Sequence, residues 1–329
     1  MPNHPPSDLC NRRRVLASAA GIAFTGLWSS AHASDSRPIK LIVPFAAGSS
    51  VDSLARLTSE RIAHHLGVPI IIDNRSGAGG GVGAAGAAQA AADGTNLFFG
   101  TAGTQGINPA LYKKLAYDPV KDFEPVVAIS SSSNVLVVNP KLGIKSLADF
   151  VARAKAAPGT LTMGSGGNGT TPHLSGVLLN RAAGIDTTHV PYKSGAIIDV
   201  IAGRLTYSFE SVPSAVPFIR SGQVQALAVT AAKREPMLPE VPTIAESGYP
   251  TYEVMAWVAL FAPKGVSKEF IARVNAAANK ALAEPELIRR LAEIGGTPIG
   301  GSPEDLRKRA AFEFARWPEV IRSANITLD

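Results

Sequence analysis

Cysteine is the residue that this sequence most nearly lacks, because Cys10 is the only one among 329 residues. Cys10 lies in an N-terminal segment that we interpret as a removable export signal, so the mature chain is predicted to have no cysteine. That composition excludes a disulfide framework, a thiolate nucleophile and a cysteine-based metal site.

Long apolar runs are also scarce. The apolar stretch at 15–27 is too short to be a permanent membrane helix. It follows three arginines at 12–14 and precedes an Ala-His-Ala pattern, which together predict a signal peptide over residues 1–33 with cleavage near Ala33. The arginines resemble a twin-arginine export signal, and an ordinary secretory signal is the alternative. Both interpretations predict an exported protein.

Charge and metal-ligand patterns exclude two further classes. Charged residues form 18% of the chain, with a formal net charge of +6. The basic residues form no stripe with interleaved aromatics, so nucleic-acid binding is not indicated. Adjacent His64 and His65 point to different faces of a helix, and no other spacing of His, Asp and Glu resembles a metal site. We therefore predict no metal and no cofactor.

The clearest structural unit runs from Ile39 to Leu66. An apolar run predicts a buried strand, the small residues at 46–50 predict a turn, and a helix follows with Ser50 or Asp52 as its cap. The first N–H groups of a helix are unpaired and lie in a positive dipole field. The turn is therefore a candidate seat for a carboxylate or a phosphate, and an ordinary turn without a ligand is the alternative.

Two further glycine-rich loops precede predicted helices. Residues 81–86 spell G-x-G-x-x-G, a dinucleotide-binding pattern, but the preceding loop is long and the segment is rich in Gly and Ala, so we disfavour a dinucleotide. The loop at 164–171 adds hydroxyls from Thr170 and Thr171 and has no Lys for a Walker loop. His173 follows it, and we favour a cap or packing role over catalysis because no nucleophile and acid accompany it.

Three other side chains have two interpretations each. Asp199 and Glu210 could each bind a ligand ammonium or hydroxyl, or each could be a helix cap or a surface charge, which we favour slightly. Trp257 could stack on a ligand or fill the core, and core packing is the commoner role. No set of residues suited to catalysis is visible.

Strands alternate with helices along the chain, which predicts an α/β fold with a parallel sheet. Two strands at 126–129 and 135–138 flank a Ser-rich link that we interpret as the crossing into a second lobe, and Val229-Thr230 is interpreted as the return crossing. A ligand cleft would lie between the lobes. The predicted lobes are residues 34–130 for the first part of lobe 1, residues 131–228 for lobe 2, and residues 229–329 for the return to lobe 1 with the C-terminal helices.

Short segments in a fixed order complete the pattern, and they are Ile42-Val43-Pro44-Phe45, Asp73-Asn74-Arg75, Asn108-Pro109-Ala110-Leu111-Tyr112, residues 117–123, Gly164-Ser165-Gly166, residues 189–193, residues 226–230 and residues 238–243. Their order and spacing resemble the Bug (TctC-like) family of periplasmic solute-binding proteins of tripartite tricarboxylate transporters. The resemblance covers nearly all of the predicted mature chain.

The resemblance implies a two-lobed periplasmic-binding-protein fold of type II, closing as a hinge on a ligand. It implies binding of a dicarboxylate, a tricarboxylate, an acidic amino acid or an aromatic acid, without catalysis, and delivery to a membrane permease. A ligand-sensing subunit for a membrane kinase is the first alternative, and an exported enzyme for a phosphorylated substrate is the second. We expect a monomer.

The resemblance and the loops together give a predicted ligand-binding set. In this sequence Ser49 stands where the family usually has a glycine, and the loop from Tyr192 to Asp199 is shorter than expected. The predicted set is Phe45, Ala47, Gly48, Ser49, Ser50, Asp52, Gly79, Thr104, Ser165, Thr170, Thr171, His173, Tyr192 and Asp199.

Overall fold

The computed structural model describes residues 37–192 and 195–323, so the predictions for the signal peptide lie outside the described residues. The strands in these ranges are β1 (Ile39–Val43), β2 (Ile70–Asn74), β3 (Asn96–Thr101), β4 (Phe123–Val138), β5 (Thr162–Ser165), β6 (Thr188–Pro191), β7 (Tyr207–Ser211), β8 (Gln225–Val229), β9 (Met255–Pro263) and β10 (Thr297–Gly300). The α-helices are α1 (Ser50–Leu66), α2 (Gly81–Ala88), α3 (Asn108–Leu111), α4 (Leu147–Ala156), α5 (Thr171–Ala183), α6 (Ala196–Ile201), α7 (Val212–Arg220), α8 (Lys268–Leu282), α9 (Pro285–Glu293) and α10 (Pro303–Ser323).

The long strand β4 organises the sheet. Its first half pairs with β9 and β10, and its second half pairs with β7 and β8. It therefore joins two groups of strands into one sheet. The prediction of two strands separated by a Ser-rich link is wrong, because 130–133 is part of one continuous strand. Serine has little strand preference of its own, but Ser131–Ser133 gain ladder partners in Trp257–Met255, and that pairing overrides local propensity.

The sheet is mixed, which corrects the prediction of a parallel one. Strands β1, β2 and β3 are parallel to one another, as are β5, β6 and β7. Strand β9 runs antiparallel to β3 and β4, and β4 runs antiparallel to β7, β8 and β10. Alternation of strands and helices along a sequence does not reveal that β9 runs against β3 or that β4 runs against β7.

Thr230 marks the place where the chain returns along β4. Its N–H donates to Asn134 O at 2.8 Å, and its hydroxyl accepts from Asn134 N at 2.9 Å and donates to Val254 O at 2.6 Å. Thr230 is fully buried, so these bonds are shielded from water. The middle of β4, the end of β8 and the approach to β9 are therefore tied together at one residue.

The buried side chains form four clusters. Two combine residues of β4's first half with β9, and one of these also includes α8 and α9 while the other includes residues of α2 and Leu306 of α10. The other two contain residues of β4's second half. Ile107, Leu111 and Trp317 nevertheless pack in a cluster with residues of β4's second half. The predicted lobe boundaries stay a prediction, because α3 and the end of α10 share that core.

Several local predictions are corrected. The side chain that caps α1 is Ser49, whose oxygen accepts from Asp52 N, and neither Ser50 nor Asp52 is the cap. The Ala-rich pattern after Gly81 predicts a helix to about Ala92, but α2 ends at Ala88, and α7 and β10 are elements that no pattern had indicated. Helix α7 has a proline inside it, which is why its sequence does not suggest a helix. Among the described helices, none is both long and apolar enough to cross a bilayer.

Candidate functional site

A cavity of about 380 Å³ opens beside the middle of β4, within the range of roughly 300–1,000 Å³ typical of small-molecule sites. Elements that pack beside each half of β4 line it. Beside the first half of β4 are the start of α1, the end of β3 and the segment after α9, beside the second half are the start of α5 and the start of α7, and the start of α3 completes the lining. The lining residues that the structure describes are all uncharged, so N–H, O–H and amide groups are the donors that they offer.

The start of α1 forms one wall. Ser49 caps the helix by accepting from Asp52 N at 3.2 Å, and Ser50 and Val51 line the cavity. In an α-helix the N–H groups of these first residues have no intrahelical acceptor, and they lie at the positive end of the helix dipole. A helix of 17 residues has the full dipole, so this wall favours an anion.

The loop before α1 is held in place by Asp52. Its carboxylate accepts from Gly48 N at 2.8 Å, Arg56 Nε at 2.9 Å and Asn74 Nδ2 at 2.9 Å. Burial raises the pKa of Asp52, but these hydrogen bonds outweigh burial and hold the pKa below its ordinary value. Asn74 Nδ2 also donates to Phe45 O at 2.9 Å. The carboxylate therefore stays ionised and fixes the loop through these hydrogen bonds, and Asp52 does not line the cavity.

The start of α5 forms the opposite wall. Thr170 caps this helix by accepting from His173 N, while its own hydroxyl donates to Gly167 O at 2.8 Å. Thr171 is the first helical residue, and Asn168, Gly169, Thr170 and Thr171 all line the cavity. Two helix N-termini with neighbouring hydroxyls thus face one cavity.

Two stacked histidines lie behind the second wall. The rings of His173 and His189 are parallel, with centroids 3.9 Å apart. His173 Nδ1 accepts from Gly169 N at 3.0 Å, and His189 Nε2 is 2.7 Å from the hydroxyl of Ser165. Burial, and then the neighbouring His189, lower the pKa of His173 to about 3, and burial lowers the pKa of His189. Both imidazoles are therefore neutral at neutral pH.

A π-helix at Gly103–Ile107 shapes a third side of the cavity. Thr104 is fully buried inside it, and its hydroxyl accepts from Thr101 N at 3.0 Å. The hydroxyl of Tyr117 donates to Thr104 O at 2.6 Å, which fixes the wide turn from below. Single π turns are frequent at functional sites, and this one directs Ile107 toward the cavity and leads into α3.

The sequence comparisons decide the family. Residues 54–326 match the family described as the tripartite tricarboxylate transporter family receptor, TctC. The chain belongs to this receptor family. Protein BugT of Bordetella pertussis is 34% identical over 317 residues, covering 95% of this chain and 96% of BugT. The predicted Bug (TctC-like) resemblance is therefore confirmed.

Solved receptors share the fold. R. palustris Rpa4515 with adipate is 38% identical with a TM-score of 0.78, and the match covers 89% of this chain and 99% of that one. MatC from Rhodopseudomonas palustris with bound malate is 36% identical with a TM-score of 0.73, and the match covers 87% and 99%. The predicted α/β periplasmic-binding-protein fold is confirmed, with a mixed sheet in place of a parallel one.

The cavity brings together five members of the predicted ligand-binding set, which are Phe45, Ser50, Gly79, Thr170 and Thr171. The other members lie outside its lining. They include side chains that support the walls from behind, such as Asp52 and Thr104, and side chains with partners elsewhere. Outside the lining are Ala47, Gly48, Ser49, Asp52, Thr104, Ser165, His173, Tyr192 and Asp199. Whether any of the predicted residues binds the ligand stays a prediction.

Asp199, Glu210 and Trp257 differ in their surroundings. Asp199 pairs with Arg204 and accepts from the hydroxyl of Tyr192. Both hydrogen bonds lower the pKa of Asp199, and the one from Arg204 has the larger effect. Burial raises the pKa of Glu210. Trp257 is 2% exposed and belongs to a core cluster while also lining the cavity, so its two interpretations are compatible.

Several lining residues were missed from the sequence. Asn108 and Tyr112 belong to a segment that we noted only for its family resemblance, and Asn108 Nδ2 donates to Gly79 O at 3.0 Å. Asn168 lies inside a loop that we did single out. Pro213 and Gly295 have no local signal at all, because α7 and the segment after α9 reach the cavity only in the folded chain.

The buried histidines predict a pH dependence of stability. Folding lowers the pKa of His173, so as the pH falls the unfolded chain binds a proton before the folded chain does. The free energy of unfolding therefore falls as the pH drops below about 6.5, and it continues to fall toward the folded-state pKa of about 3. We expect His173 to contribute about 1.4 kcal/mol per pH unit in that window. Urea unfolding at pH 7, 6 and 5 checks this.

A His173→Asn variant is the control for that titration. We expect its stability to fall less steeply between pH 6.5 and pH 5 than that of the unsubstituted protein. Equal slopes for the two proteins would contradict the prediction.

Proposed function

We propose that this chain is a periplasmic solute-binding protein that captures a small organic carboxylate in the cavity between the starts of α1 and α5. The observation that supports this most directly is the convergence of two helix N-termini on one cavity, with Ser50 and Val51 on one side and Thr170 and Thr171 on the other. A carboxylate between them would accept backbone N–H and hydroxyl donors from both walls at once.

The solved relatives support the ligand class. Rpa4515 is described with adipate and MatC with bound malate, and both align with nearly their whole length to this chain. We infer a carboxylate for this cavity as well. Donors at the two helix starts bind only the carboxylate, so the other lining residues select the size and polarity of the rest of the ligand. Val51, Leu54, Ile107, Leu111 and Val258 offer apolar contact there.

Binding would be coupled to closure. Pro213 at the start of α7 and Gly295 after α9 come from opposite sides of the cavity and approach so closely that a Cβ on Gly295 would lie 1.6 Å from Pro213 Cγ. The chain passes between the sides through β4 and through the residues around Thr230. We infer that these two passages bend when the sides separate and that the contact between Pro213 and Gly295 forms when they close.

The partner would be the membrane permease of a tripartite transporter, since the chain belongs to a family of transporter receptors. The receptor would present its closed, ligand-bound form to that permease in the periplasm after export. We propose no catalytic step for it, in line with the solved relative BugD, which is described as a periplasmic binding protein.

Titration calorimetry with a panel of acids tests the proposal. The panel is adipate, malate, citrate, glutamate, benzoate and nicotinate, and we expect at least one to bind at one per chain. Ser50→Ala and Thr171→Val should each weaken the binding of that acid about tenfold, because each removes a hydroxyl beside the carboxylate. Ser53→Ala is the matched control, since Ser53 is exposed on α1 outside the cavity. Unchanged affinity in both wall variants would reject the site, and conversion of any bound acid to a product would reject the non-catalytic role.

A further inference from the structure

We propose that His173 is a positioning residue for ligand binding, acting through the backbone of Gly169. The inference rests on the proposed function, because Gly169 lies in the loop that would hold the carboxylate. His173 itself is 4% exposed and does not line the cavity. Its effect on a ligand must therefore pass through the loop.

The loop is anchored to the histidine pair at two points. Gly169 N donates to His173 Nδ1 at 3.0 Å, and Gly167 N donates to the hydroxyl of Ser165 at 3.2 Å. That hydroxyl is in turn 2.7 Å from His189 Nε2. Since the two rings are stacked, the anchors form one unit behind the wall that Asn168 and Thr171 present to the cavity.

The loop needs such anchors because of its composition. Gly167 and Gly169 both have positive φ, at 116° and 74°, which glycine adopts freely and which it also leaves freely. A loop with that freedom would have to be ordered by the ligand, at a cost in affinity. An acceptor fixed at Gly169 N orders the loop before the ligand arrives, so that the N–H groups at the start of α5 already face the cavity.

The interaction requires one tautomer. His173 Nδ1 can accept from Gly169 N only when it has no proton, so the proton of the neutral ring must be on Nε2. Asparagine can imitate this arrangement, because its Oδ1 lies close to the position of Nδ1 and is an acceptor. Leucine is of similar size and cannot accept. The chemistry of one atom can therefore be separated from the volume of the side chain.

The decisive experiment compares His173→Leu with His173→Asn in the full-length exported protein. We expect His173→Leu to weaken binding of adipate or malate about tenfold, mainly through faster dissociation, and His173→Asn to bind within about threefold of the unsubstituted protein. His64→Leu is the control, because His64 is exposed on α1 and far from the loop in sequence. Thermal unfolding of the ligand-free variants separates lost stability from lost affinity.

Wild-type measurements keep the proposal testable if His173→Leu does not fold. Nitrogen-15 shifts of His173 should report an unprotonated Nδ1, and the amide of Gly169 should exchange with solvent much more slowly than that of Gly166, which is exposed. Fast exchange at Gly169 would overturn the proposal. Full affinity in His173→Leu, or equal losses in His173→Leu and His173→Asn, would also overturn it. If the unsubstituted protein binds neither adipate nor malate nor any other acid of the panel, the proposed function itself fails.

Discussion

Gly83→Ala is expected to lower the free energy of unfolding by about 3 kcal/mol, because the new methyl group would overlap with backbone on two sides. A Cβ on Gly83 would lie 2.7 Å from Pro44 Cα and 2.8 Å from Arg75 O. Neither atom can rotate away as a side chain could, so α2 would have to move off the segment that follows β1. Since Pro44 precedes Phe45, which lines the cavity, we expect weaker ligand binding as well.

Gly86→Ala is the matched control on the same helix. The nearest atom to a Cβ there is Arg75 Nη1 at 2.6 Å, the mobile end of a partly exposed side chain. Alanine is favoured over glycine in a helix by about 1 kcal/mol, so Gly86→Ala should be neutral or stabilising. Urea unfolding of both variants checks the pair, and equal stability of the two would show that the close approach at Gly83 is unimportant.

Gly295→Ala is expected to weaken ligand binding by at least about tenfold, because it separates the two sides of the cavity. A Cβ at this position would lie 1.6 Å from Cγ and 2.4 Å from Cδ of Pro213. The overlap is too large for the ring to absorb, so the segment after α9 and the start of α7 would have to move apart. In the proposed closed form that displacement would cost affinity, since both segments line the cavity.

Gly222→Ala is the control that measures what alanine in a left-handed backbone conformation alone costs in stability. Gly222 and Gly295 share a φ of 71°, but a Cβ on Gly222 would meet nothing within 4 Å. Both substitutions should therefore reduce stability by about 1 kcal/mol through the left-handed backbone, and only Gly295→Ala should reduce affinity. Calorimetric titration of the two variants with the best-binding acid of the panel is the measurement. Normal affinity in Gly295→Ala would contradict the closure that we propose.

The pair Gly83 and Gly86 also shows how a motif can mislead. The two glycines belong to the G-x-G-x-x-G pattern that we disfavoured as a dinucleotide site. In the structure, Gly83 is required by close packing of α2 on Pro44, and Gly86 faces Arg75. The pattern therefore has a packing explanation that needs no nucleotide. Spacing along the chain cannot distinguish the two, because both need a backbone that approaches another group closely.

Local signals predicted most elements but not how they pair. Helix α1 was predicted after the short turn of small residues at 46–50. In the structure Ser146 and Thr170 cap α4 and α5 through contacts made within one turn, which are local in the same sense. Strand β4 was split in two because serine is a poor indicator of a strand. Its continuity depends on β9, which lies more than 100 residues further along the chain. Local propensity has no information about such a partner.

The candidate site, like the fold, could be predicted only in part. The loops before α1 and α5 could be predicted, because unpaired N–H groups at a helix start follow from a short turn rich in small residues. The sequence could not tell which loop residues face the cavity, and the structure places Ser50 in its lining and Ser49 outside it. That choice depends on which residue becomes the cap, and Asp52 and Arg56 of α1 fix the loop partly through their contacts with Asn74 of β2, a separate element.

By itself, the sequence determined the class of this protein, since composition, the order of short segments and the small-residue loops are properties of the chain alone. They were enough to predict an exported, cysteine-free α/β receptor with anion-binding helix starts. The tertiary structure decided what lies beside what. The stacking of His173 on His189, the contact of Gly295 with Pro213 and the antiparallel path of β9 all join residues that are distant in sequence. Such contacts depend on the summed packing of the whole fold, so no local pattern could have predicted them.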